Sequence, residues 1–443
     1  MTRTSIVATV SLATLTALTA CSKNPPPPST QFGANPLLPA PTQFVGLPSM
    51  DVPKAVGWKP GQTPVVPAGL QIQPLATGFE HPRQVTALPN GDILVVESNG
   101  PPAPIYRPKD YWENQAQFRA GAGAPGGNRI TLLRDADGDG RPELRTIFLD
   151  HLNSPFGVRL VGNTLYVADT DALLQYHYTP GQTRITERGA VLTSLPGGPI
   201  DHHWTKALTV SPDGSKLFVG VGSNSNIVEN GFEAEKDRAA IWEIDRATGY
   251  KRLFATGMRN PTSLQIDPQS HKLFAVVNER DEIGPDLVPD YLTSVTPGAF
   301  YGWPYSYYGQ HVDIRVQPQR PDLVAKAIKP DYALSSHVAP LGLLFTQGSS
   351  LPPAIRNGAL VAEHGSWDRF PLNGYKVVYI AFQNGHPVGV PHALVAGFLS
   401  PDQKTVRGRP VGMALDKTGA LLIADDAGNT VWRVSAVPAR RAP

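Results

Sequence analysis

The chain has 443 residues with 39 basic and 37 acidic side chains. That balance excludes the basic footprint of a nucleic-acid binder and any polybasic run for an anionic membrane surface. With 42 glycines, 45 prolines and 1 cysteine, the composition also excludes a disulfide framework and a protein of long helices, and favours many short strands joined by turns.

Residues 1–20 read as a secretory leader. Arg3 supplies the positive start, and "IVATVSLATLTALTA" is an apolar run too short for a comfortable membrane span. It closes on Leu18-Thr19-Ala20-Cys21, the pattern of a bacterial lipobox, which predicts cleavage before Cys21 and lipidation of its thiol. A simple secretory signal that happens to contain a cysteine is the alternative. The lone cysteine favours the lipid anchor, and with it a periplasmic or cell-surface protein. Residues 21–68, which include "SKNPPPPSTQFGANPLLPAPTQ", are expected to form an extended Pro-rich tether.

From residue 69 to 437 one pattern recurs: a Pro or small polar residue, an apolar strand, a short turn, and a second apolar strand ending in a polar residue. The copies fall at 81–98, 154–170, 204–223, 260–279, 339–365 and 409–426. Turns such as "PNGD", "SPDGS" and "DKTG" supply the Gly, Asn and Asp that hairpins need where φ is positive. These copies predict an all-β, six-bladed β-propeller of four-stranded antiparallel blades. "LQIQPLATGF" is expected to add the outer strand of the last blade and fasten the ring. A pair of β-sandwiches would not show this repeated signature.

In such a ring the residues just before each inner strand surround the channel mouth. His202 and His203, Arg259 and Asn260, and Arg407 and Arg409 fall there, with Asn153 before another inner strand and His364 ending an inner hairpin. A neutral imidazole can take a proton, with Asp201 or His202 to orient it. Guanidinium forks suit carboxylates or phosphates. Tyr301 and Trp303 read as core packing at a turn.

Four segments then resemble one family, the soluble PQQ-dependent sugar dehydrogenases, in particular the L-sorbosone dehydrogenase-like branch. They are "HHWTKALTVSPDG", "GMRNPTSLQIDP", "VNERDEIGPDLVPDYL…GAFYGWP" and "RGRPVGMALD", in the family's order. The resemblance implies PQQ and Ca²⁺ as cofactors and a sugar or sugar-derived aldehyde as substrate. It makes His203 the general base for the substrate hydroxyl and sets Arg259 against the quinone oxygens. Arg407 and Arg409 would bind the cofactor's carboxylates, Asn260 would lie beside its ring and Tyr332 near its plane. The calcium would take backbone carbonyls of Arg280 and Asp281. His364 stands where the family has a lysine, with Arg369 as a nearby substitute; His202 displaces an Asp, and Leu152 replaces a glutamine.

Two stretches lie outside that scheme. "DADGDGRPE" spaces Asp135, Asp137 and Asp139 as calcium loops do, but it has neither the expected Glu nor flanking helices, so a hairpin turn is the leading reading and a second calcium the other. Residues 101–128 form a long insertion expected either to overhang the mouth or to be inert. Two other functions share the architecture: a calcium-dependent lactonase-type hydrolase recruiting Glu97, Glu279 or Asp169, and a non-catalytic binding propeller. The electron acceptor would be external, and only the lipid anchor would touch a membrane.

Overall fold

The structure is a computed structural model and describes residues 30–42, 51–102 and 104–437. The signal segment and Cys21 lie outside the described residues. Six antiparallel sheets form the ring. Blade 1 runs through Pro82–Ala87, Ile93–Glu97, Arg129–Arg134 and Leu144–Leu149, and blade 2 through Gly157–Val161, Thr164–Ala168, Ala172–His177 and Ala190–Ser194. Blade 3 holds Lys206–Val210, Lys216–Val221, Ala240–Asp245 and Lys251–Thr256. Blade 4 holds Asn260–Ile266, Leu273–Asn278, Pro289–Ser294 and Tyr332–Ser336; blade 5 holds Pro340–Phe345, Gly358–Glu363, Lys376–Gln383 and His386–Val395. Blade 6 combines Pro410–Leu415, Leu421–Asp425 and Thr430–Ala436 with Leu70–Thr77 from the start of the domain. The six sequence copies are the six inner hairpins.

Second strands are packed on both faces by neighbouring blades, so they read as unbroken apolar runs rather than alternating ones. Ile93–Glu97, Gly358–Glu363 and Leu421–Asp425 are buried at every position. The innermost strands crowd around the axis, and glycine permits it. A Cβ on Gly342 of blade 5 would overlap the Val411 carbonyl of blade 6, and one on Gly157 of blade 2 would overlap Leu208 of blade 3.

The Pro-rich stretch is not a free tether throughout. Phe32–Gly33 adds a fifth strand to blade 4 beside Leu334 and Ala333, and Lys54–Ala55 pairs in parallel with Thr405–Val406. Trp58 packs edge-on against Phe398 and Trp432, and its indole N–H donates to Asp425 at 2.7 Å. Backbone pairing and a half-buried indole hold residues 30–42 and 51–68 against the ring. No helix among the described residues is long and apolar enough to cross a membrane.

Residues Asp135–Glu143 form the turn between the outer strands of blade 1. Asp135 accepts the backbone N–H groups of Gly138 (2.7 Å) and Gly140 (2.9 Å), as a turn-capping carboxylate does. The insertion contains a helix, Pro108–Arg119. Pro108 at its first turn and Asp110, which accepts the Arg107 N–H at 2.8 Å, start it.

Because the axial packing tolerates no added carbon, Gly342→Ala is expected to destabilise the fold by about 1–3 kcal/mol. Denaturant unfolding of the variant beside the native chain measures this.

Candidate active site

A cavity of about 290 Å³ opens at the channel mouth, and its wall includes His202, His203, Arg259, Asn260, Asp281, His337, His364 and Arg409. The fold explains the convergence. His203 and Arg409 stand just before inner strands, Asn260 opens one with Arg259 beside it, and His364 follows the second strand of blade 5. Residues far apart in the chain thus meet at one end of the ring.

His203 is held in one tautomer. Its Nδ1 lies 2.8 Å from the Ser223 carbonyl, which can only accept, so Nδ1 carries the proton. The Ser223 hydroxyl, 3.0 Å from the same nitrogen, donates its own hydrogen bond to the Ser225 carbonyl at 2.6 Å. Nε2 therefore keeps its lone pair for the cavity. Burial, with the nearby Arg259 and His202, holds the imidazole well below 6.5, in its neutral, basic form. Gly222 makes room for this arrangement, since a Cβ there would strike both His203 and Asn260.

Arg259 donates to the Glu279 carbonyl at 2.6 Å and to Asp281 Oδ2 at 3.0 Å. The other Asp281 oxygen lies 3.2 Å from His337 Nδ1, while His337 Nε2 is 3.1 Å from the carbonyls of both Gly284 and Leu287. Both ring nitrogens face acceptors, so His337 is an imidazolium. Burial opposes that charge, but the Asp281 hydrogen bond and carboxylate outweigh it and raise His337 to about 9. Beside this imidazolium, the carboxylates of Asp281 and Asp368 lie close enough to share an ion. Burial and the charge of Asp281 push Asp368 up to about 7, and its Oδ1 is buried without a partner.

Across the cavity, Arg409 lies 4.9 Å over the Tyr375 ring and donates to the His364 carbonyl at 3.2 Å. His364 Nε2 meets Asp426 at 2.9 Å, and Arg83 meets the same carboxylate. Burial drives His364 down to about 4 against the pull of Asp426, so Nε2 donates and Nδ1 is left as an acceptor.

Several expected contributors are elsewhere. Tyr332 is fully buried between blades 4 and 5, with its hydroxyl on the Gly389 carbonyl at 2.8 Å, because an outer-strand side chain packs between sheets. Arg407 donates to the Gly397 carbonyl at 3.3 Å; the chain turns into the mouth only past Gly408, so Arg409 alone of the pair lines the cavity. Arg369 is bound to Asp286 (2.9 Å) and the Pro285 carbonyl (2.8 Å), outside the cavity wall. The side chain of Arg280, as distinct from the backbone carbonyl expected to meet calcium, is a fully buried strut between Glu279 and Asp313. The Asp281 carbonyl already accepts Asn226 Nδ2 at 3.1 Å and Arg315 Nη1 at 3.2 Å, so the carboxylate of Asp281, not its carbonyl, faces the site. Asp201 pairs with Arg238 at 2.8 Å and does not orient His203; the Ser223 carbonyl does. Asn153 and Leu152 do not line the cavity, and of Glu97, Glu279 and Asp169 only Glu279 does. Tyr301 and Trp303 are buried packing residues, as expected. Sequence reasoning missed Ser223, His337, Asp368 and Asp426; the Asp425-Asp426 pair ending "LLIADD" was the one available signal.

This fold is a six-bladed propeller with a polar cavity at the mouth of its channel. The TrAA12-like family model matches residues 130–290 and 318–437, and the chain belongs to that family. A curated relative, the pyrroloquinoline quinone-dependent pyranose dehydrogenase of Coprinopsis cinerea, is 24% identical over 357 residues, 71% of this chain; the chain spans 44% of that relative's length. An uncharacterized protein of Borreliella burgdorferi is 27% identical over 293 residues, 64% of this chain and 76% of its own. Among solved structures, the PQQ domain of the Coprinopsis enzyme in its holo form superposes with a TM-score of 0.68 at 20% identity, covering 87% of this chain and 100% of that domain. The PQQ-bound aldose sugar dehydrogenase of Streptomyces coelicolor gives 0.54 at 15% identity, covering 84% and 100%.

The two histidines should titrate in opposite directions. In chelator-treated, cofactor-free protein, imidazole ¹⁵N NMR is expected to show His203 neutral at pH 6.5 and His337 doubly protonated there, losing its proton near 9. Since His337 is raised on folding, its stabilising contribution is complete below pH 6.5 and lost as pH rises through about 9.

Proposed function

We propose that the protein is a PQQ- and calcium-dependent dehydrogenase that oxidises a sugar or sugar-derived aldehyde, of the sorbosone or aldose type, and passes electrons to an external acceptor. One observation carries the reading. His203, whose Nδ1–H is committed to Ser223, lines the same cavity as Arg259 and Arg409, whose Nε–H donors are buried and unpartnered. Such groups fit a planar, polyanionic ligand, which would satisfy what the protein leaves unpaired. The family membership and the PQQ-dependent relatives support the same conclusion.

When bound, PQQ supplies a quinone that accepts hydride from the substrate carbon. His203 Nε2 takes the substrate hydroxyl proton, with Nδ1–H anchored on Ser223 so that the ring cannot turn away. Arg259 presents positive charge where negative charge develops on the acceptor. Arg409, held over Tyr375, binds the cofactor's carboxylates, and Asn260 and His364 complete the polar wall. Asp281 and Asp368 would hold the calcium: two neighbouring carboxylates, one with an orphaned oxygen, form the hard donor set this ion prefers. The lipid anchor at Cys21 would keep the enzyme on a periplasmic or outer-surface membrane.

Adding PQQ and Ca²⁺ to the purified protein should change the cofactor's absorbance and permit dye reduction with an aldose or sorbosone-type substrate. His203→Ala is expected to keep that absorbance change and lose turnover by about 10²- to 10⁴-fold. Arg409→Ala is expected to weaken cofactor binding by about 10- to 100-fold instead. An unaltered cofactor spectrum in the native protein refutes the assignment.

A further inference from the structure

A second, smaller cavity lies on the axis of the ring, below the mouth. It holds about 20 Å³ and takes a wall residue from the first strand of every blade: Gln84, Arg159, Leu208, Ser263, Leu343 and Met413. None of its wall residues lines the cavity at the mouth. Ser263 follows Asn260 along the same strand, which sets it roughly 10 Å deeper in the channel.

Arg159 is the one charged residue in this wall. Its Nη1 donates to the adjacent Val158 carbonyl at 2.8 Å, and among the described residues no carboxylate pairs with it and no other acceptor meets its N–H groups. The side chain is half-buried, and the surface it keeps lines the cavity. Protein packs around it so closely that burial drives the guanidinium down to about 10, with no acidic neighbour pulling the other way. A cation in such surroundings ordinarily has a counter-charge.

The rest of the polar wall also donates. Ser263 Oγ accepts the Leu343 N–H at 3.1 Å, which leaves its own O–H to turn into the cavity. The side-chain amides of Gln84 and Gln265 each carry N–H groups for the same space. A volume of this size admits one guest about as large as a water molecule and shuts out sulfate, phosphate and carboxylates.

We propose that the axial cavity binds a halide-sized monovalent anion, chloride above all, between Arg159, Ser263 and the two glutamines. The anion supplies the counter-charge that the chain does not, and it ties together inner strands of separate blades. Water fits the same volume but leaves the guanidinium unneutralised in a dry surround, so the charge balance favours the anion. The site is independent of the oxidation reading and of the residues at the mouth.

Thermal unfolding of the purified full chain in sodium chloride, against sodium gluconate at equal ionic strength, tests the site, since gluconate is too large to enter. The native midpoint is expected to rise by about 2 °C for each tenfold increase in chloride above its dissociation constant, and bromide should act alike. Arg159→Met, which removes the charge and keeps the length, should lose that dependence. In gluconate the variant should be no less stable than the native protein, because it no longer buries an unpaired cation. Native crystals grown in bromide give a readout that needs no variant to fold: an anomalous peak is expected in the axial cavity, in contact with the Arg159 guanidinium. A native midpoint indifferent to chloride, equal chloride sensitivity in Arg159→Met, or a cavity that holds water in the bromide crystals overturns the site.

Discussion

Ring closure is the constraint on which the rest depends. Leu70–Thr77 pairs with Thr430–Ala436 along its full length, so the start of the domain completes its last blade. Six separate sheets have no reason to share an axis until that pairing fixes the first against the last. Once fixed, the polar ends of the inner hairpins from blades 3, 4, 5 and 6 face one another across the mouth. The site is thus a property of the closed ring and of no single blade. Trp58 reinforces the seam by covering Trp432 of the closing blade and donating to Asp425.

Charge inside the mouth is arranged unevenly. Asp281 is flanked by Arg259 and the imidazolium of His337, and these hold its carboxyl below the usual range despite burial. Asp368, close by, is pushed the other way by burial and by the negative charge of Asp281. Meanwhile Arg259 and Arg409 keep unpaired nitrogen atoms in the cavity wall, although buried polar groups normally find partners.

The architecture was legible because each blade is a local hairpin whose pattern repeats, so six weak signals reinforced one another. Site residues immediately ahead of inner strands were legible for the same reason, as His203, Arg259 and Asn260 illustrate. Legibility ended where position depended on a turn or an outer connection. Arg407 and Arg409 look equivalent in "RGRP", yet the bend at Gly408, pressed against Asp425, sends them to different surroundings. Tyr332 has the right residue type on an outer strand, and there the pleat delivers it to the space between blades. His337 and Asp368 sit on loops beyond the repeat, where spacing carries no information about what they will meet. The Pro-rich segment looked like a tether because its composition cannot reveal that Trp58 has a buried carboxylate to meet.

Asp425 and Asp426 show how seam and site are joined. They are adjacent at the end of one buried strand, and their side chains face opposite ways with opposite fates. Asp425 turns outward to the indoles of Trp58 and Trp432 and to the Arg409 N–H, and burial pushes it up to about 7. Asp426 turns toward the mouth, where His364, His81 and Arg83 outweigh its burial and keep it ionised. The same dipeptide therefore clasps the N-terminal strap with one carboxyl and sets the tautomer of a cavity histidine with the other. The Asp425 oxygen that accepts the Arg409 N–H also fixes the backbone from which the Arg409 guanidinium enters the cavity. Strap, closing blade and the cavity-lining Arg409 are consequently one hydrogen-bonded unit, which explains why a chain segment far from the mouth is folded so tightly against the ring.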